Sequence, residues 1–276
     1  MAGSHRELFL EEMTPKKTIY YKDLLHDEFS GTKIQRKPLP ENYKYYRKNP
    51  FYRAFAWFLY YLIAFPIIYL VVRFYGYRLK GAKKMRKLMH QPLFFYGNHT
   101  QILDAVVVQS LVSRGKRSYI VTNQDTSSIK GILWLVKMLG ILPTPENPME
   151  SRKFVEAIRY HASKKAGIII FPEAHIWPYY THIRPFGDDS FTYPAALGAP
   201  VVPFCTTYRA RKVFKNRRPL PTIHIGAAIF PNMDLSLPDR KRDLRDRVYE
   251  YLLETSSNEE NVAYYSYLPL EEKKED

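Results

Sequence analysis

The 276 residues carry 42 Lys and Arg against 27 Asp and Glu, a formal net charge of +15. Such a surface suits an anionic partner: nucleic acid, an acidic substrate or an anionic membrane face. Aromatic residues make up 15%, 23 of them tyrosines, which favours the membrane, because amphipathic rings settle at its interface. The single cysteine, Cys205, excludes an internal disulfide framework and fits a reducing compartment. It follows the apolar run Val201 to Phe204 and reads as a buried, inert thiol. The length allows one large domain or two small ones.

Residues 1–50 are polar, basic and tyrosine-rich, with Pro38, Pro40 and Pro50 as breakers. They read as a loose arm carrying short helices, one over Lys22 to Phe29, and no site is expected there. The first ten residues hold acids and no apolar run, so no signal peptide is expected. Residues 51–75 form the next unit. Ala54 to Val72 (AFAWFLYYLIAFPIIYLVV) is uncharged and long enough to cross a bilayer as a helix. Pro66 should kink it or divide it into a hairpin. Lys44, Arg47, Lys48 and Arg53 precede this run, with Lys33, Arg36 and Lys37 further back; Arg73, Arg78, Lys80, Lys83, Lys84, Arg86 and Lys87 follow it. Equally basic flanks fit a segment lying in one leaflet with both ends cytoplasmic. A buried helix of a soluble core is the other reading.

Residues 76–235 show alternating strand and helix signals. Leu93-Phe94-Phe95-Tyr96 reads as a buried strand, ended by Gly97-Asn98, and Ala105 to Val112 as a buried helix. Between them lies His99-Thr100-Gln101-Ile102-Leu103-Asp104. Residues five apart do not share a helix face, so the loop must fold back for Asp104 to accept a hydrogen bond from the imidazole. His99 would then be a base and Asp104 its orienter. Alternatively His99 caps the helix and Asp104 is a first-turn acid. Gly131 to Leu142 is core or an interfacial helix. Asn147-Pro148-Met149-Glu150 starts a helix that runs to Lys164-Lys165. Ile168 to Phe171 reads as a strand leading into Pro172-Glu173-Ala174-His175, and Val201 to Phe204 and Thr222 to Ile225 as further strands, although Pro203 is awkward in a central one. Residues 236–276 hold a helix over about Pro238 to Glu254, with Leu244, Val248 and Leu252 on one face and arginines on the other, then a frayed tail from Ser256. The fold class expected is α/β, a mixed central sheet flanked by helices, with an N-terminal membrane-associating helical segment. His175 and His182 gather no further ligands in sequence, so no metal site is expected. No G-x-S-x-G elbow is present, so a serine-bound acyl intermediate is unsupported. The basic residues form no nucleic-acid motif, and no nucleic-acid partner is expected.

Asn98-His99-Thr100-Gln101-Ile102-Leu103-Asp104 together with Phe171-Pro172-Glu173 resembles the glycerolipid acyltransferases of the bacterial lysophosphatidic acid acyltransferase family. That family carries N-H-x-S-x-x-D and, some 70 residues later, F-P-E-G-T-R-S, then a strand ending in V-P-V, here like Val201-Val202-Pro203. The resemblance covers roughly residues 76–232. It implies acyl transfer from acyl-CoA or acyl carrier protein to the hydroxyl of a glycerolipid, 1-acyl-glycerol-3-phosphate first, with no cofactor. A different lysolipid or lipid alcohol is the alternative acceptor, and a non-catalytic basic lipid-binding protein a further one. Membrane lipids and the acyl carrier are the expected partners, at the cytoplasmic face of a membrane. His99 and Asp104 are the catalytic candidates; Asn98, Phe171, Pro172, Glu173, His175 and Arg184 are the candidates for substrate binding. Glu173 has a second reading as a helix N-terminal acid. The chain departs from the family at Ala174, His175 and Ile176, where the family has Gly-Thr-Arg, and near Ile141 to Pro145, where the family has a further arginine. Both arginines are associated with the acceptor's phosphate. Arg184 is the first substitute expected, with Arg152 and Arg209 as further options; otherwise His175 and Trp177 line a pocket for another head group.

Overall fold

A run such as Leu93-Phe94-Phe95-Tyr96 can hide both of its faces only in the middle of a layered sheet. The computed structural model places it there, and describes residues 15–31, 38–40, 43–112, 116–124 and 133–270. In chain order the first elements are β1 (Thr18–Tyr21), α1 (Pro50–Phe58), α2 (Phe65–Phe74), β2 (Arg78–Lys80), β3 (Leu93–Gly97), α3 (Asp104–Val107), β4 (Ser118–Thr122) and α4 (Leu133–Leu139). There follow β5 (Ile141–Pro143), α5 (Pro148–Ser163), β6 (Gly167–Ile170), α6 (Thr192–Leu197), β7 (Val201–Arg209), β8 (Leu220–Ile225), α7 (Leu237–Asn258) and β9 (Ser266–Pro269). The main sheet has the order β2-β8-β7-β3-β6-β4-β5. It is parallel except for the β7–β8 pair, which makes it mixed, as expected from the sequence.

Strand alternation sorts the core. Phe94 and Tyr96 pack on one face with Phe154 and Ile158 of α5 and with Leu244, Val248 and Leu252 of α7. Leu93 and Phe95 pack on the other with Val107, Val202, Ile225 and Val72. Asn147 caps α5, its Oδ1 accepting from Glu150 N at 2.9 Å, while Glu150 reaches back to Asn147 Nδ2 at 2.8 Å and Glu146 N at 2.9 Å; the helix start that the sequence suggests is formed, with the carboxylate on the cap's side chain in place of its backbone N–H. Pro203 does sit in a central strand, but one position beyond the last β7–β8 pair, Phe204 with Ile225. Its carbonyl accepts from Gly226 N at 2.8 Å, and the N–H it lacks falls where the ladder has already ended.

Pro50–Phe74 is one 25-residue helical run with no hairpin, of which little is buried. A π-helical stretch over Leu59–Ala64 separates α1 from α2. It lies directly before Pro66, whose ring would clash with the carbonyl four residues back in an unbroken α-helix, and the wider turn takes up that conflict. Tyr60 and Val72 are buried, whereas Phe51 is 83% and Phe74 90% exposed. An apolar helix with so much free apolar surface is not the core helix of the alternative reading.

Three expectations are corrected. Lys22 to Phe29 forms no helix: residues 24–26 turn, and β1 before them pairs in parallel with β9. The arm is not loose where it is described, since Leu39, Tyr43 and Tyr45 join the core; residues 1–14, 32–37 and 41–42 lie outside the described residues. The tail is not frayed from Ser256, because α7 runs to Asn258 and β9 follows; residues 271–276 lie outside the described ones. The helix expected over Ala105 to Val112 forms, as one turn of α3 continued by a π-helical Val108–Val112. Of the apolar stretch Gly131 to Leu142, the described part divides between α4 and β5, and residues 131–132 lie outside the described ones.

Candidate active site

Strands β3 and β6 run parallel, so the residues after each emerge at the same sheet edge. His99 leaves β3 there and Glu173 leaves β6. Asp104 is the first residue of α3, and its Oδ2 accepts from Thr100 N and Gln101 N, both at 2.7 Å. These two bonds fold the loop back, and the same oxygen lies 3.3 Å from His99 Nδ1. Asp104 is 1% exposed. His99 stacks on Phe171 with centroids 4.2 Å apart and planes at 18°, and its side chain keeps 14% exposure. Nδ1 therefore faces a buried carboxylate, while Nε2 makes no hydrogen bond among the described residues.

A ring chain seats this imidazole. A Cβ on Gly97 would stand 2.2 Å from the Phe204 ring, so only glycine lets Phe204 lie there. Phe204 meets Phe171 edge-on at 5.7 Å, and Phe171 carries His99. The neighbouring Asn98 is 2% exposed and both ends of its amide are spent on β7: Oδ1 accepts from Thr206 N at 2.8 Å and Nδ2 donates to Thr206 O at 3.0 Å. Its side chain thus prolongs the β3–β7 ladder by one step. Below the loop, Tyr208 donates to Thr100 Oγ1 at 2.7 Å, Gln101 Nε2 donates to Tyr208 Oη at 3.2 Å, and Tyr77 donates to Gln101 Oε1 at 2.8 Å. Burial pushes the Tyr208 hydroxyl well above its ordinary range, so it serves as a neutral donor.

Glu173 is 4% exposed. Its Oε2 accepts from His99 N at 3.2 Å, and its Oε1 accepts from Arg184 N at 3.0 Å. Arg184 Nη2 donates to Glu173 Oε2 at 3.3 Å and also to His175 O, and Nη1 donates to Leu24 O at 3.2 Å. Burial pushes the Glu173 carboxyl up, and the guanidinium with the two N–H donors opposes that shift. Arg184 therefore has a different place from the one expected. It is 1% exposed, faces Glu173 rather than an open subsite, and stacks over Trp177 at 5.0 Å.

Two further expectations change. Trp177 lines no pocket: it is fully buried among Tyr21, Phe29, Tyr180 and Tyr267, and its Nε1 donates to Asp27 O at 2.8 Å. Arg209 points inward, donating to Pro221 O, Thr222 Oγ1 and Gly76 O, and Arg152 lies on α5. His175 is brought near Glu28 (Nδ1 to Oε2 3.7 Å), and Pro172 is half-buried at the turn. Ala174 adopts φ 62°, a left-handed conformation that costs an L-residue about 1–2 kcal/mol.

A family model described as acyltransferase matches residues 77–207, the span from Tyr77 through both motifs to the strand that holds Asn98. Residues 77–207 are an acyltransferase domain. The crystal structure of the 1-acyl-sn-glycerophosphate (LPA) acyltransferase PlsC from Thermotoga maritima has a similar fold. Its TM-score is 0.51 at 18% identity, over 75% of this chain and 88% of that one. No curated protein matches the chain by sequence. Within the acyltransferase domain and its surroundings, no cluster of His, Cys, Asp and Glu among the described residues could hold a metal ion. Sequence reasoning missed Tyr77 and Tyr208 and the arm's Leu24, because each meets the motif only through the fold. The Gly97–Phe204 contact left one trace, a glycine beside a strand of large rings.

Proposed function

We propose that the acyltransferase domain moves a fatty acyl group from a thioester, acyl-CoA or acyl carrier protein, to a glycerolipid hydroxyl. The observation that carries this is the His99 imidazole, with a buried carboxylate at Nδ1 and, among the described residues, no hydrogen bond at Nε2, on a side chain that keeps 14% exposure. Nε2 takes the proton as the acceptor oxygen attacks the thioester carbonyl. The carbon–sulfur bond then breaks and the same proton passes to the departing thiolate, leaving an ester and a free thiol. Asp104 holds the tautomer and stabilises the imidazolium. Asn98, Phe171 and Glu173 are positioning residues in this reading: they fix the loop from below, from the side and through His99 N, with Arg184 holding Glu173. No cofactor takes part.

The acceptor proposed first is 1-acyl-glycerol-3-phosphate, giving phosphatidic acid. The order of the motifs and the fold shared with an enzyme named for that substrate support it. The exposed basic loop between β7 and β8, with Lys212 and Arg217, leaves the sheet at the edge that holds His99 and offers cations for a phosphate. A second reading, another lysolipid or a phosphate-free lipid alcohol, is favoured by the burial of Arg184 and Arg209 and by Ile176 in place of an arginine. Thiol release from one acyl-CoA with a panel of these acceptors separates the two. In the same assay His99→Ala should lose about a hundredfold or more, and Asp104→Asn should retain a trace. Near-normal turnover by folded His99→Ala would sink the mechanism.

The apolar helix Pro50–Phe74 is proposed to lie in a membrane with both ends at the cytoplasmic face, on the support of its exposed apolar surface and basic flanks. With Cys205 replaced, single cysteines at Lys44 and Lys83 should resist labelling from outside sealed cells. Labelling of either one would mean that the helix spans.

A further inference from the structure

A cavity of about 520 Å³ lies far from His99, between residues 43–57, the start of β4 and β5, and the end of α5. Ala166 and Arg117, which line it, stand at the beginnings of β6 and β4, whereas the acyl-transfer site follows the ends of β3 and β6. Five strand residues at about 3.3 Å each put roughly 16 Å of sheet between the two. The cavity is therefore not a lobe of the catalytic cleft.

Among the described residues its walls carry Lys44, Arg47, Arg53, Arg117, Lys137 and Lys164 and no carboxylate. None of the six forms an ion pair among the described residues. Three of them are held on aromatic faces instead: Lys137 Nζ lies 4.0 Å from the Tyr43 ring, Arg117 Cζ 4.0 Å from the Tyr60 ring and Arg47 Cζ 4.9 Å from the Tyr52 ring. A ring face fixes a cation without cancelling its charge. Arg117 Nη2 donates to Met138 O, but its Nη1 is buried with no hydrogen-bond partner. Such a group is costly unless something binds it. The nearby acid Glu150 is already taken by Asn147 Nδ2, Gln124 Nε2 and Glu146 N. The charges also crowd one another. Burial and Arg47 hold the Lys137 ammonium below its ordinary range, and burial and Arg117 push His161 down to about 3. An anion in the cavity would relieve both.

We propose that this cavity binds a phosphate group, carried by an anionic lipid whose headgroup enters beside the first turns of the apolar helix. The lipid source is favoured over a free phosphate by what flanks the opening. Arg53, Ala54 and Trp57 of α1 line it, and Phe51, Phe55 and Phe58 stand exposed on the same turns. Acyl chains attached to a bound headgroup thus have an apolar neighbour. This choice of source rests on the membrane reading of Pro50–Phe74; the phosphate site itself does not. A headgroup held there would tie residues 43–57 to β4 and α5.

The test is calorimetric titration of the purified, detergent-solubilised protein with dihexanoyl phosphatidylglycerol below its micellar concentration. Dihexanoyl phosphatidylcholine, inorganic phosphate and pyrophosphate are titrated in parallel. The anionic lipid should bind one site more tightly than the other three. The double variant Arg117→Gln/Lys137→Met should weaken that binding at least about tenfold, the loss of charged hydrogen bonds. Arg242→Gln/Arg247→Gln on α7, with the same change in charge, should leave it unaltered. Thiol release at the His99 site should persist in both, so that failure of this site and failure of the proposed function are distinguishable. If the double variant does not fold, Arg47→Gln at the exposed rim carries the test, with a loss of similar size expected. Equal lipid binding by the parent and the cavity variant overturns the proposal, and so does equal weakening by the α7 control. Pyrophosphate binding more tightly than the lipid overturns the lipid assignment.

Discussion

Replacing Arg184 by methionine tests the assignment of Glu173 and its partner as an internal pair that holds the His99 loop. The side chains are 0% and 2% exposed, and breaking such a pair from one side costs about 3–5 kcal/mol, because the remaining charge is stranded. At about 2–4 °C per kcal/mol for a chain of this size class, the melting temperature at pH 8 should fall by roughly 6–20 °C. The loss should depend on pH. Burial already holds the Glu173 carboxyl above its ordinary value of about 4.3 despite the guanidinium. Without the guanidinium only the backbone N–H groups of residues 99 and 184 support the carboxylate, so the folded-state value rises further. Between the ordinary value, which the unfolded chain keeps, and this raised one the folded chain binds more protons than the unfolded one. Its stability is then fully present below the lower value and lost as pH rises through the upper one, by at most about 1.4 kcal/mol per pH unit. The lost bonds to Leu24 O and His175 O add a deficit that does not change with pH. Thermal melts followed by far-UV circular dichroism at pH 5 and pH 8 should show the larger deficit at pH 8. Adding Glu173→Gln to the variant should remove the difference. A variant that melts within about 2 °C of the parent at pH 8, or with one deficit at both pH values, would refute the reasoning.

Gly97→Ala forces a methyl group into the Phe204 ring, and a displacement passed through Phe171 should tilt His99. A stability loss of about 1–3 kcal/mol is expected from overpacking, with kcat reduced by roughly tenfold to a hundredfold; a kcat unchanged in a folded variant would show that the ring chain does not seat the imidazole. Ala174→Gly relieves the left-handed backbone but frees the unfolded chain by about 0.4–1 kcal/mol. The net gain should be up to about 1.5 kcal/mol, read as a melting point a few degrees higher, and a clear fall would mean that the methyl group matters more than the strain.

The parts of the fold legible in the sequence are those whose cause is local. Asn147 and Pro148 announce α5 because a cap and a fixed φ act within one turn. Leu244, Val248 and Leu252 announce α7 by their spacing, and the buried strands β3 and β6 show as unbroken apolar runs. The approach of His99 to Asp104 is legible too, since so short a loop has few ways to bring its ends together. What cannot be read joins residues far apart in the chain. Arg184 reads as a free cation because nothing near it in sequence says that Glu173 and the carbonyl of Leu24 enclose it. Trp177 reads as a pocket wall because its neighbours Tyr21, Phe29 and Tyr267 come from both ends of the chain. The π-helical turn over Leu59–Ala64 escapes for another reason: Pro66 announces a disturbance, but the apolar pattern does not record whether the helix kinks, folds into a hairpin or widens.

The pairing of β1 with β9 sets the order in which the molecule can assemble. Thr18 and Ser266 face each other across this ladder, so forming it first would close a loop of roughly 250 residues at an entropic cost of about 5 kcal/mol. Four residue pairs cannot meet that cost alone. Once the seven-stranded sheet has formed, the ends are already brought together and the same ladder closes cheaply. The aromatic enclosure of Trp177, and with it the frame of the Ala174–Tyr180 loop beside His99, is then completed last in folding and opens first under stress.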